Sequence, residues 1–136
     1  MSGSDRDLVA ALRAELAAVD PSRPCDRIAE IAGLGPRPVT REGTVARLII
    51  RLGGRAGPTR RSFVLPEVEF SWPVAADHCR FAWLRGRFLA RGSLSLAAGR
   101  AHLEFVVPAG RHPSSPVDWR RSTCPPHGAS AAASAS

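Results

Sequence analysis

The sequence predicts an α+β fold in which two helices pair through small side chains and are followed by antiparallel β-hairpins. The segment Cys79–Val107, CRFAWLRGRFLARGSLSLAAGRAHLEFVV, indicates one amphipathic helix, a tight turn through Gly92 and two short strands. Within the helix, predicted over His78–Arg91, small residues recur every four positions and form a narrow stripe. A glycine in mid-helix costs about 1 kcal/mol relative to alanine, so Gly86 indicates that another helix backbone approaches closely.

Two further helices are predicted near the N-terminus. Asp5–Val19 carries an apolar face at helical spacing, and Pro21 ends it. A shorter helix is predicted over Asp26–Leu34; a cysteine precedes it and it carries small residues four positions apart, as the later helix does. This similarity indicates a helix–hairpin unit used twice, and chance likeness between two short helices is the alternative. The predicted helix-pairing residues are Ala29, Gly33, Ala82, Gly86 and Ala90.

Four segments are predicted to be strands. Thr44–Leu52, TVARLIIRL, has the strongest signal, and Arg61–Leu65 returns from it across the turn-rich GGRAGPT. Ser93–Leu96 and Ala101–Val107 form the second hairpin, whereas the connector Pro66–Asp77 receives no assignment.

The composition of the chain changes after Val107. Residues 1–107 hold the periodic segments, whereas residues 108–136 are rich in proline, serine and alanine and have no periodicity. The sequence therefore predicts one domain over residues 1–107 and a disordered tail over residues 108–136.

The chain is strongly basic, and it contains arginine but no lysine. Nineteen arginines against 12 acidic residues give a net charge of +7 and an isoelectric point near 11.3. Arginine binds phosphate in a bidentate manner, so the excess of positive charge indicates a polyanionic partner. A GC-rich genome is the alternative reason for the choice of arginine over lysine, but it accounts less well for the net excess.

Other classes of protein receive no support from the sequence. The N-terminal segment carries charges through its apolar stretch and no run is long enough to span a bilayer, so we expect a cytoplasmic protein without a membrane partner. Cys25, Cys79 and Cys124 are far apart and lack a CxxC spacing, which predicts neither a disulfide framework nor a zinc site. No Ser-His-Asp order, P-loop or GxGxxG motif is present, so we expect no catalytic residues, metal or cofactor.

The stretch WLRGRFLARGSLS, followed by HLEFVVP, resembles one known type of helix. A helix that packs by small residues, ends in glycine and runs into a strand is similar to the LAGLIDADG helix of homing endonucleases, and this stretch looks most like WhiA. The WhiA family comprises bacterial regulators of sporulation and cell division built on a degenerate endonuclease scaffold. The resemblance implies two central helices and a saddle of strands over DNA. Because only two strands follow the second helix in this sequence, it also implies that the second repeat is incomplete. The C-terminal helix-turn-helix domain of WhiA regulators has no counterpart in this sequence.

The resemblance also implies that DNA cleavage has been lost. Active LAGLIDADG endonucleases carry an acidic metal ligand as the next-to-last residue of the motif, and aligning residues 84–92 with it places Arg91 there. An arginine repels Mg²⁺ instead of binding it. In the first motif Glu30 lies one turn too early to serve, so we expect no enzyme activity.

Polar residues on one face of each predicted hairpin form the candidate DNA-binding surface. The pleat of a strand places alternate residues on one face, which here separates arginine, serine and histidine from core-like leucine and isoleucine. In the scaffold that the sequence resembles, this polar face meets DNA, and a solvated sheet face is the alternative. The predicted DNA-binding residues are Arg47, Arg51, Arg60, Arg61, Ser93, Ser95 and His102.

We therefore expect a non-catalytic, WhiA-like protein that binds the phosphate backbone of duplex DNA in the transcriptional regulation of sporulation or cell division. The alternative is a truncated remnant, or a protein-interaction module, that has kept the helix pair without a DNA function. An unpaired last strand with Leu103, Phe105 and Val107 on one face would favour association with a second copy or with another protein.

Overall fold

The computed structural model describes residues 2–107, which fold into four α-helices and two small antiparallel sheets. The helices are α1 (Gly3–Ala18), α2 (Pro24–Leu34), α3 (Gly43–Arg51) and α4 (Asp77–Arg91). The strands are β1 (Arg55–Ala56), β2 (Phe63–Val64), β3 (Gly92–Ala97) and β4 (Arg100–Phe105), and a short 3₁₀ helix spans Trp72–Val74. This is the α+β class that the sequence predicts. The tail predicted over residues 108–136 lies outside the described residues.

All three predicted helices are present within two residues of their predicted bounds. Helix α1 begins with a reciprocal cap, in which the Ser2 hydroxyl accepts from the Asp5 amide at 3.2 Å and the Asp5 carboxylate accepts from the Ser2 amide at 3.1 Å. Hydrogen bonds from Ser2 lower the pKa of Asp5. Helix α2 begins with Pro24, whose missing amide hydrogen is no loss in the first turn.

The segment Thr44–Leu52 is helical, so its prediction as a strand was wrong. The side chains that it buries in the core are Val45, Leu48, Ile49 and Leu52, which recur at intervals of three and four residues. This stripe packs against the rest of the core. That packing outweighs the preference of the β-branched residues for a strand.

The first sheet is consequently shorter than predicted, and only its second strand, β2, lies within a predicted strand, Arg61–Leu65. Arg55 pairs with Val64, so the stretch GGRAGPT supplies a strand, and Arg60 and Arg61 lie in the turn before β2. The segment 36–40 runs along the other side of β2 through backbone hydrogen bonds of 2.9 to 3.0 Å. Three antiparallel segments thus lie side by side on this part of the molecule.

Helix α4 runs directly into the second hairpin at Gly92, as predicted. A Cβ atom at Gly92 would lie 2.6 Å from backbone atoms of Phe88, so glycine permits this sharp junction. Ala98 and Gly99 form the β3–β4 turn with φ angles of 51° and 72°. Two adjacent left-handed residues are what a two-residue hairpin turn requires.

Two apolar clusters make up the core of the described residues. The first joins α1, α3 and the C-terminal half of α4, and Ile49 and Leu89 are among its most deeply buried side chains. The second lies between α2 and the N-terminal half of α4, where Trp83 stacks on Phe70 and meets Trp72 edge-on.

No helix within residues 2–107 is both long and apolar enough to cross a lipid bilayer.

Arginines from one helix hydrogen-bond the C-terminal carbonyls of another. Arg13 of α1 forms a bidentate ion pair with Glu42 and donates to three carbonyls at the end of α4, at 2.8 to 3.3 Å. Arg51 of α3 donates to the Ala17 carbonyl at the end of α1, at 2.8 Å. Arg27 of α2 donates to the Arg51 carbonyl at 2.9 Å. These guanidinium groups donate to carbonyls in the last turns of the helices and complement the negative ends of the helix dipoles.

Candidate functional site

Helices α2 and α4 pack backbone to backbone along the stripe of small residues. A Cβ atom at Gly33 would lie 2.1 Å from a carbonyl oxygen of α4, and one at Gly86 would lie 2.4 Å from a carbonyl oxygen of α2. Ala29 and Ala82 are buried in the cluster between the two helices, and Ala90 is half-buried against the first cluster. The close helix contact that these spacings predict is therefore present.

A buried ion pair joins the same two helices. The Glu30 side chain is fully buried, and its two carboxylate oxygens accept hydrogen bonds from Arg85 at 2.9 and 3.1 Å. Both oxygens are engaged, so Glu30 serves the helix interface. Arg91 lies exposed in the last turn of α4.

The N-terminal ends of α2 and α4 bring four side chains with metal-binding atoms together. The ligand atoms of Cys25, Asp26, His78 and Cys79 all lie within 4.8 Å of one another. His78 Nδ1 lies 2.5 Å from Asp26 Oδ1 and 3.5 Å from Cys79 Sγ. Burial, and next the Cys25 thiol, raise the pKa of Cys79 to about 12. The sequence spacing predicted no such group, because Asp26 and His78 are 52 positions apart and meet only through helix packing.

The four arginines that were predicted to bind DNA do not share one sheet face in the structure. Arg51 is engaged at the end of α1, and Arg47 lies exposed on α3 with its guanidinium near Gly43. Arg60 and Arg61 are exposed in the turn before β2. The interpretation of four arginines on one sheet face was therefore wrong, because the segment that carries two of them is a helix.

The three remaining predicted DNA-binding residues share the exposed face of the β3–β4 hairpin. Ser93 pairs with Glu104 and Ser95 pairs with His102, and all four residues are exposed. This arrangement agrees with the predicted polar face. The opposite face packs partly on the core, although Leu103 remains 58% exposed.

Six exposed arginines surround the first sheet and the start of α3, and no ion pair of the described residues involves any of them. The Thr40 amide donates to the Arg61 carbonyl at 3.0 Å, which places the segment 36–41 beside the β1–β2 turn. Arg47 reaches back to Gly43, two positions after Arg41. We define the basic surface as Arg37, Arg41, Arg47, Arg55, Arg60 and Arg61.

Sequence reasoning found half of this surface. It missed Arg37, Arg41 and Arg55, because each lies in a segment rich in glycine or proline that has no periodicity of its own. Their charge was the only available signal, and charge alone does not show which arginines are engaged within the fold.

Comparison of the chain with protein-family models, curated proteins and solved structures found no match. The likeness to LAGLIDADG helices therefore depends on the stretch WLRGRFLARGSLS and the strand after it.

Proposed function

We propose that this chain is a non-catalytic DNA-binding protein of the WhiA type, on a degenerate LAGLIDADG-like scaffold, that acts in transcriptional regulation of sporulation or cell division. The basic surface is the observation that carries the proposal. Its six arginines are exposed and lack acidic partners within the described residues, whereas Arg13, Arg27 and Arg85 are each paired with an acid. Guanidinium groups without acidic partners, on neighbouring segments, suit the regularly spaced phosphates of a duplex.

The helix pair supports the LAGLIDADG-like part of the proposal. Asp26 lies beside His78 at one end of the pair and Glu30 lies beside Arg85 further along, so the helices run parallel. Helix α4 then passes through Gly92 into a hairpin, as the second motif of the scaffold does. Helix α3 follows α2 where the scaffold has strands, so the first repeat departs from that pattern.

The residues at the two motif positions support the proposal that this protein does not cleave DNA. Glu30 is bonded to Arg85, and Arg91 brings a positive charge where a metal-binding acid would be needed. Supercoiled plasmid incubated with the protein and Mg²⁺ or Mn²⁺ should therefore remain intact. Nicking that persists through purification and disappears in Glu104→Gln would contradict this part of the proposal.

The salt dependence of DNA binding tests the proposal. Affinity for a short duplex should fall with salt, and the log–log slope changes by about 0.9 for each phosphate that the protein neutralises. The double variant Arg60→Gln with Arg61→Gln should therefore reduce the magnitude of the slope by about 1.8. Fluorescence anisotropy at several salt concentrations measures this change.

A matched double variant controls for net charge. Arg6 and Arg100 are both exposed, and the shallow groove that Asp5 and Arg100 line includes none of the six arginines of the basic surface. Arg6→Gln with Arg100→Gln removes the same charge and should leave the slope within error of the original. Absence of binding at low salt, or equal slopes in the two double variants, would refute the proposed surface.

A protein-interaction module is the second candidate. Leu103 and Val106 are 58% and 67% exposed, and within the described residues β4 pairs only with β3. This candidate predicts a stable dimer by light scattering together with no measurable DNA binding.

A further inference from the structure

We infer that Cys25, Asp26, His78 and Cys79 form a Zn²⁺ site that joins the N-terminal ends of α2 and α4. The two pairs of residues occupy equivalent positions, directly after the first residue of each helix. The parallel packing of the helices brings all four ligand atoms within 4.8 Å of one another. This inference does not depend on DNA binding.

The donor atoms are those that zinc prefers. Two thiolate sulfurs, an imidazole nitrogen and a carboxylate oxygen form a four-ligand set that suits tetrahedral Zn²⁺. Bond lengths of about 2.3 Å to sulfur and about 2.0 Å to nitrogen place these two atoms about 3.5 Å apart across a tetrahedron. His78 Nδ1 and Cys79 Sγ are 3.5 Å apart. His78 and Asp26 are at hydrogen-bonding distance, and this separation would widen by about 0.9 Å on binding.

The surroundings also favour a bound cation with anionic ligands. The positive ends of two helix dipoles meet here and favour the negative charge of the Asp26 carboxylate. Cys79 is buried, and the side chains of Asp26 and His78 are only 16% and 29% exposed. Cys25 is exposed and gives an ion access from solvent. Each thiol would release its proton to solvent as its sulfur binds the metal.

A disulfide between Cys25 and Cys79 is the competing use of these residues. Such a bond would engage the two sulfur atoms alone and would leave no role for Asp26 and His78 beside them. Four protein ligands instead complete a closed tetrahedral shell, which is typical of structural zinc sites. Zinc would therefore hold together the N-terminal ends of two helices whose backbones are in close contact further along, at Gly33 and Gly86.

Titration of the chelator-treated, reduced full-length chain with Co²⁺ and then Zn²⁺ tests the inference. We expect one Co²⁺ per chain, with thiolate charge-transfer absorption and the visible bands of a tetrahedral ion, and its displacement by Zn²⁺. Cys25→Ser and His78→Gln should each weaken metal binding by more than about 100-fold, since removing even a group that only orients a ligand costs about 10- to 100-fold. Zinc should raise the melting temperature of the original chain and not that of Cys25→Ser.

Two matched variants and a mass measurement make the test decisive. Cys124→Ser and His102→Gln replace the same residue types elsewhere in the chain and should bind metal like the original. Circular dichroism establishes that each variant is folded. The inference is wrong if Co²⁺ gives no thiolate absorption or if Cys25→Ser binds as tightly as the original chain. It is also wrong if mass spectrometry finds a Cys25–Cys79 disulfide and the reduced chain takes up no metal.

Discussion

Replacing Gly33 with alanine would push α2 and α4 apart at their closest approach. The new Cβ atom would lie 2.1 Å from the Trp83 carbonyl oxygen and 2.9 Å from the Arg87 amide nitrogen. Ordinary contacts of a Cβ atom begin near 3.4 Å, so the two backbones would have to separate by roughly 1.3 Å. Both obstacles are backbone atoms, which cannot rotate out of the way as a side chain can.

The expected loss of stability follows from two opposing effects. Overpacking of a core costs about 1–3 kcal/mol, and contact with backbone places this case at the upper end. Alanine is favoured over glycine within a helix, which offsets about 1 kcal/mol. We therefore expect Gly33→Ala to lower the free energy of unfolding by about 2 kcal/mol and the melting temperature by roughly 8–16 °C.

Thermal and urea unfolding followed by circular dichroism measure this effect. The control is Gly43→Ala at the first residue of α3, where a Cβ atom would meet only the end of the Arg47 side chain, at 3.5 Å. Gly43→Ala should melt at or slightly above the temperature of the original chain. A Gly33→Ala variant that is as stable as Gly43→Ala would refute the close helix contact.

Two further substitutions test interactions inside the fold. Glu30→Gln leaves the Arg85 guanidinium without its counter-charge and should lower the free energy of unfolding, measured in urea, by about 3 kcal/mol. Glu15→Gln, at an exposed position, is the control. Equal urea midpoints for the two variants would contradict the prediction. Arg51→Gln removes hydrogen bonds from the end of α1 and should cost about 1 kcal/mol, because the arginine is partly exposed. Its DNA-binding slope should stay unchanged, since the guanidinium is engaged by the Ala17 carbonyl, and a slope reduced by about 0.9 would show that Arg51 binds phosphate instead.

Local sequence patterns located most of the elements but not the type of each one. The helices at both ends of the domain and the β3–β4 hairpin have a single dominant periodicity, and each is present as predicted. Thr44–Leu52 fits two periodicities at once, because Val45, Leu48, Ile49 and Leu52 suit a helix while the alternation with Arg47 suits a strand. Tertiary packing decided in favour of the helix, and a nine-residue segment does not reveal that packing.

Of the candidate sites, one could be predicted from the sequence and one could not. The stripe of small residues was visible in the sequence, because glycine in mid-helix is costly unless a neighbouring backbone needs the space. The group formed by Cys25, Asp26, His78 and Cys79 was not visible, although a cysteine in the first turn of each helix was a signal that the two ends correspond. Distance along the chain hides such a group until the register between the helices is known.

The arginines at the helix ends make the four helices depend on one another. The end of α1 is held by α3, the end of α3 by α2 and the end of α4 by α1, while α2 packs directly on α4. Unfolding of any one helix therefore removes hydrogen bonds from the terminal carbonyls of another helix, or breaks the α2–α4 interface. No single helix can therefore unfold at a low free-energy cost while the others stay folded. The slowest-exchanging amides of all four helices should consequently share one opening free energy in native-state hydrogen exchange.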